Sequence, residues 1–317
     1  MEFRTSIKLD QQAHGLIDYN SDLFMIGSCF AQKMSYRLNY FQFRNLTNPF
    51  GILFHPVAIE RVITRALNDE FFDETDCFEM NERWFSFEGH SYLNGRTARD
   101  LTERLKDKLK ETKSQLESAT HLVITLGTAW VYRHISTDTI VANCHKVPQK
   151  EFLKELLTVE EISESIDSII NLIRLINKEI RVILTVSPVR HLKDGMIENS
   201  RSKAHLLAGV HQIVNKRDGI HYFPSYEIMM DDLRDYRFYE GDMLHPNSLA
   251  IQYIWDQFQE TWIDEKCYAV MEEVDKVSRG FAHKPFRADS QGYKDFLKKN
   301  MEHADKLKAK YPHFSFD

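Results

Sequence analysis

The chain has 317 residues, an apolar fraction of 43% and a net charge of −6. That length suits one large domain, or a domain with an appendage, and the apolar content allows a full core. The mildly acidic balance, with no block of Lys or Arg, argues against a nucleic-acid surface. The first residues, Met1 to Ser6, carry no apolar signal region. No apolar run approaches the roughly 20 residues that span a bilayer. A cytoplasmic protein without membrane contact is expected. The four cysteines, Cys29, Cys77, Cys144 and Cys267, form no CxxC pair. Neither a zinc ribbon, a redox pair nor a disulfide framework is expected, and no metal or other cofactor.

In chain order, residues 1 to 20 read as an irregular lead-in. Leu23 to Ile26 is a buried strand that runs into Gly27-Ser28-Cys29, followed by a helix from Phe30 to about Asn39. Asn45 to Gly51 is rich in turn residues and reads as a loop. Pro56 to Ala66 has helical spacing. Residues 69 to 97 read as an aromatic insertion with short strands around Arg83 to Phe87, forming a small satellite core. Leu101, Leu105 and Leu109 mark an amphipathic helix over 97–116. It leads to a second buried strand from His121, which exits at Gly127-Thr128. Residues 129 to 150 form a hairpin-like excursion carrying Asn143, Cys144, His145 and Lys146.

Thr158-Val159-Glu160-Glu161 is a capping box and opens a long helix. Arg181 to Ser187 is the next strand, stopped by Pro188. A helix over 202–214, a short strand over 220–223 and a polar loop follow. The loop ends in Asp242-Met243-Leu244-His245-Pro246, with Pro246 placed as the first residue of a helix. Strand and helix alternate over 22–260, and the strands are nearly continuous apolar runs. This is the pattern of an α/β fold with a mostly parallel sheet covered on both faces. Residues 265 to 317 read as a charged helical appendage that covers the insertion or a partner subunit, compatible with a homo-oligomer. The domain boundary falls at 264.

The strand exits of such a sheet share one edge, where α/β folds place their chemistry. Asp242 and His245, three apart, let the carboxylate reach the near imidazole nitrogen and leave Nε2 free as a base. The nucleophile for that base is Cys29 or Ser28. Unpaired N–H groups at the start of the following helix supply donors for an oxyanion. A thiol at that place is expected to have a lowered pKa. His145 and Lys146 either hold an anionic substrate group or sit in a solvated turn. Adjacent side chains point apart, so Cys144-His145 does not read as a metal site. His191, Ser202 and Lys203 line or support the same edge.

The stretch Gly27-Ser28-Cys29-Phe30-Ala31 resembles the motif that names the GSCFA domain family. Asn48-Pro49-Phe50-Gly51, Asn143-Cys144-His145-Lys146, Ser187 to His191 and Asp242 to Pro246 are similar to its other blocks. The family in turn resembles the SGNH/GDSL hydrolases. That resemblance implies a flavodoxin-like three-layer α/β/α sandwich and esterase, lipase or carbohydrate-deacetylase chemistry through a Ser-His-Asp triad. Aligning Gly27 with the superfamily's glycine puts Ser28 on its aspartate and Cys29 on its nucleophilic serine. The resemblance assigns oxyanion donors to the nucleophile's own N–H, to a glycine that corresponds to Gly51 in the Asn48–Gly51 block, and to an asparagine. Here the third block reads Gly127-Thr128-Ala129, and Thr128 or Asn143 stands in for that asparagine. Three functions follow. One is hydrolysis of an ester of a small molecule or glycan through an acyl-enzyme. The second is acyl transfer to a sugar hydroxyl. The third is a non-catalytic glycan- or partner-binding module.

Overall fold

The computed structural model describes residues 5–214 and 216–316. The first four residues of the expected lead-in and Asp317 of the appendage lie outside them. The strands are β1 (Asp22–Gly27), β2 (Arg44–Thr47), β3 (Phe78–Met80), β4 (Arg83–Phe85), β5 (His121–Leu126), β6 (Trp130–His134), β7 (Thr139–Val141), β8 (Phe152–Leu156), β9 (Arg181–Val186) and β10 (Ile220–Tyr222). The helices are α1 (Cys29–Tyr40), α2 (Pro56–Leu67), α3 (Ala98–Ser118), α4 (Val159–Ile176), α5 (Met196–Val214), the single turn α6 (Ser225–Glu227), α7 (Ser248–Trp262), α8 (Tyr268–Ala282) and α9 (Gln291–Lys310).

The main sheet has the order β2-β1-β5-β9-β10, and every pairing in it is parallel. Its order reverses once, beside β1, which is the flavodoxin-like arrangement. Alternate residues of each strand enter opposite layers. Phe24, Ile26, Leu122, Ile124, Val182 and Leu184 join the apolar stripes of α2, α3, α4 and α5. Leu23, Met25, Val123 and Ile183 face α1, α7 and the C-terminal helices. The result is a three-layer α/β/α sandwich. No helix among the described residues is long and apolar enough to cross a membrane.

The register decides where the site lies. Gly27 is opposite Thr125, and Thr125 is opposite Thr185. The three central strands therefore end level, and Ser28-Cys29, Gly127-Thr128 and Ser187-Pro188 emerge together. The chain beyond β5 forms an antiparallel three-stranded sheet, β7-β6-β8, and the aromatic insertion forms the hairpin β3-β4. Arg61 and Arg65 of α2 hold the insertion through Glu88, at 3.0 and 2.8 Å.

Several boundaries differ from the sequence reading. Arg44–Thr47 is an edge strand rather than loop: its polar residues are only half covered, so it lacks the apolar run of an interior strand. Phe152–Leu156 adds a third strand to the excursion. α5 begins six residues before Ser202. α7 begins at Ser248, not Pro246, because the Asn247 side chain accepts the Ala250 N–H and caps it. The Thr158 capping box forms as read, with Thr158 Oγ1 accepting from Glu161 N–H at 3.1 Å and Glu161 accepting in return at 2.7 Å. α8 and α9 cover the α1/α7 face, burying Val274, Val277, Ala304 and Leu307 there, and not the insertion.

Candidate active site

The turn between β1 and α1 can be built only with glycine. Gly27 has φ +135°, and a Cβ there would lie 2.1 Å from the Thr125 carbonyl oxygen. The next N–H, of Ser28, donates to that same oxygen at 2.9 Å. Ser28 is the N-cap of α1: its side chain is 0% exposed, and its Oγ accepts from the Phe30 N–H at 3.3 Å. Cys29 opens the helix and is partly exposed. The thiol is not lowered as expected. Burial pushes it up, against the opposing pull of its own N–H, of Lys203 and of Lys33. The helix N-terminus alone does not outweigh desolvation there.

Asp242 and His245 meet in a tight turn, not on a helix. Asp242 Oδ1 accepts from the N–H groups of Leu244 and His245 at 2.8 and 3.0 Å, and Oδ2 lies 2.6 Å from His245 Nδ1. These bonds hold the carboxyl down at about 2, so it stays ionised and fixes Nδ1 as the protonated nitrogen. His245 Nε2 is left as an acceptor. The turn is tied to the exit of β9, because Arg190 N–H donates to Leu244 O at 3.2 Å. Among the described residues no hydrogen bond joins His245 to Ser28 or Cys29.

The remaining sequence candidates separate. Gly51 has φ +80°, but its N–H donates to Asn48 O at 2.8 Å and closes a turn. The donor that the resemblance assigns to it is thus already used. Asn48 instead touches the β1–α1 turn, its Oδ1 accepting from Gly27 N–H at 2.8 Å, while its Nδ2 is buried without a partner among the described residues. Gly127 and Thr128 both donate their N–H groups to Phe54 O. The Thr128 hydroxyl pairs with Ser202 Oγ and accepts from the Trp130 N–H. Asn143 Oδ1 accepts from the His145 N–H at 2.8 Å. His145 is not a substrate group. Its ring is buried, Nε2 donates to Ser86 O at 2.7 Å, and Nδ1 meets Ser91 Oγ at 3.0 Å. Burial brings it down to about 4, so it is a neutral pin between excursion and insertion. Lys146 is exposed.

Beside this edge lies a cleft of about 310 Å³, and Phe54, Thr128, Trp130, Tyr132, Asn143 and His191 are among its walls. Thr128, Trp130 and Tyr132 are alternate residues, which a strand turns to one face. That spacing is readable in the sequence, but by itself it does not mark Trp130 and Tyr132 as cleft residues. His191 links the cleft to Lys203 and His245. It is held near 4 by burial first, then by the charges of Lys203 and His245. Lys203, in turn, is 1% exposed and acts on Cys29. Among the described residues no group of three or more His, Cys, Asp or Glu could hold a metal ion.

The sequence profile of the GSCFA family matches residues 22–258, and that of the GSCFA domain protein C-terminal domain matches 274–317. No curated protein matches the chain. Among solved structures, a carbohydrate esterase family 3 protein from Talaromyces cellulolyticus is similar at 9% identity and a TM-score of 0.37, with 80% of this chain and 99% of that one covered. An acetyl esterase variant solved with an acetate ion is similar at 10% identity and a TM-score of 0.36, with the same coverage.

Proposed function

The chain belongs to the GSCFA family, and we propose that it is an ester hydrolase working through an acyl-enzyme on Cys29. The observation that carries this reading is the pairing of Asp242 with His245 at 2.6 Å, at the sheet edge where Cys29 opens α1 partly exposed. Ser28, buried and engaged as a cap, is the weaker nucleophile.

Burial keeps the thiol neutral at rest, so it needs a base at the moment of attack. His245 Nε2 takes the thiol proton as Sγ bonds to the ester carbonyl carbon. The carbonyl π pair moves to oxygen, and the Cys29 N–H at the start of α1 is the nearest backbone donor for that charge. The intermediate collapses: the C–O bond breaks, and the alcohol leaves with the proton from His245. A water then attacks the thioester while His245 takes its proton. The carboxylic acid departs and the proton returns to Sγ. Asp242 stays ionised throughout and steadies the imidazolium.

The cleft supports a small molecule or glycan as the alcohol part. Trp130, Tyr132 and Asn143 on the cleft wall suit a ring that is apolar on its faces and hydroxylated at its edge. Acyl-enzyme trapping tests the reading. The protein is mixed with p-nitrophenyl acetate, quenched in acid, digested and weighed, beside Cys29→Ala, Ser28→Ala and His245→Ala. An adduct on Cys29 that needs His245 supports it. An adduct on Ser28 moves the nucleophile. A thioester that a sugar alcohol discharges faster than water makes the protein a transferase. No adduct with several acyl donors points to binding alone.

A further inference from the structure

Among the described residues the Lys203 ammonium has no carboxylate partner. The residue is 1% exposed, and its Nζ donates to Gly127 O and Ser187 O, each at 2.7 Å. Both acceptors are neutral carbonyls, at the exits of β5 and β9. An ammonium has three donors, so one remains, and a buried charge is ordinarily paired. The register brings Cys29 to the same place. Gly27 is opposite Thr125, two residues before Gly127, and Ser28 N–H is bonded to Thr125 O. The start of α1 therefore lies next to the carbonyl that Lys203 holds.

The groups that face Lys203 are few. On α1 there is Cys29, on whose thiol the charge of the exposed Lys33 also acts. After β9 comes His191, kept neutral above about 4, with His245 beyond it. On α6 the Tyr226 ring centre lies 5.7 Å from Nζ. Among these the acidic group that acts on Lys203 is Cys29.

We propose that Lys203 is a positioning residue of the thiol site: its ammonium, fixed on the carbonyls of Gly127 and Ser187, is the countercharge against which the Cys29 thiolate forms when His245 removes the thiol proton. Burial brings Lys203 down to about 7, while Cys29 pulls it up. The countercharge is thus present below neutrality and fades as pH rises through that value. This rests on the reading of Cys29 as nucleophile, but its test needs no turnover.

The test is the pH dependence of Cys29 alkylation by iodoacetamide, read by mass on the Cys29 peptide, in the full-length chain. An opposite charge a few ångströms away shifts a thiol by about one unit or more, which is about tenfold in thiolate. Lys203→Met is expected to alkylate about tenfold more slowly than wild type at pH 6.5, with the gap narrowing above pH 8. Lys203→Gln, whose amide can still donate to the two carbonyls, is expected to follow Lys203→Met. A wild-type profile in either folded variant overturns the proposal. Where neither folds, the reciprocal measurement decides. Coupling between two sites is mutual, so a fixed negative charge at the thiol position, in Cys29→Asp, should move the ¹⁵N titration of Lys203 Nζ to higher pH than in Cys29→Ala, and an equal midpoint in the two overturns the proposal. Turnover of p-nitrophenyl acetate is followed in parallel. Lys203-dependent alkylation without any turnover defeats the hydrolase reading and leaves this one standing.

Discussion

Replacing Ser28 by alanine separates the two nucleophiles, because the structure gives the Ser28 hydroxyl a different task. Its Oγ accepts from the Phe30 N–H at 3.3 Å with the residue 0% exposed. Loss of an N-cap costs about 0.5–2 kcal/mol. The bond is long, which argues for the lower part of that range, but no water can take its place in a buried site, which argues for the upper. A loss of about 1 kcal/mol is expected, or about 1.5 °C in Tm for a chain of this length. Acylation is expected to continue, because the Sγ of Cys29, its N–H and the Asp242–His245 pair are untouched. Cys29→Ala should do the reverse: it removes the adduct and leaves Tm nearly unchanged, since the side chain is small and partly exposed. The assays are a thermal melt by circular dichroism and acid-quench mass spectrometry on the same samples. An unchanged Tm together with a lost adduct in Ser28→Ala would refute the argument, because the hydroxyl would then be a nucleophile and not a cap.

Gly27→Ala should destabilise strongly. Backbone strain and the clash with the Thr125 peptide together come to about 2–6 kcal/mol, measured by urea denaturation. The Asp242 carboxyl is held at about 2 by the Leu244 and His245 N–H groups. A depressed carboxyl lends its support above its unfolded value and loses it as pH falls. The Leu244 and His245 amides should therefore stay protected down to about pH 4 and open between pH 4 and 2, read by hydrogen exchange. In Asp242→Asn they should exchange with no such step. His55, His121 and His145 are each brought down to about 4 by burial. Between that value and 6.5 the unfolded chain binds more protons, so stability is complete above about 6.5 and falls as the pH drops through the window. Melting temperature should decline from pH 6.5 to 4. His145→Gln should decline less steeply, and a pH-independent melt would contradict the assignment of these rings as neutral.

The layered fold was legible because its signals are local and strong. Leu122, Val123 and Ile124 are apolar in succession, as strands buried on both faces must be, and Thr158 with Glu161 announces the start of α4 within four residues. β2 was not legible, since its four residues owe their strand conformation to a parallel neighbour and not to their own polarity pattern. The same limit applies to the residues expected to bind substrate. Gly51, Thr128 and His145 have side chains or N–H groups of the right kind, but what occupies each is set by a partner far off in the chain or by the closing of a turn. His145 meets Ser86, 59 residues away, and Thr128 meets Ser202, 74 away.

The nucleophile turn shows where the boundary between sequence and structure lies. Gly27-Ser28-Cys29 offers two candidate side chains, one residue apart, and periodicity treats them alike. Their difference arises when Gly27 takes its positive φ against Thr125. That geometry sends the Ser28 side chain into the protein, where it caps α1, and leaves Cys29 partly exposed in the first turn. Lys203 adds a second difference that only the fold creates. It arrives from α5, 174 residues after Cys29, and it is held by the exits of two strands rather than by any residue in the motif. A motif of five residues thus offers two candidate nucleophiles, but the strand register and one distant lysine give them different surroundings.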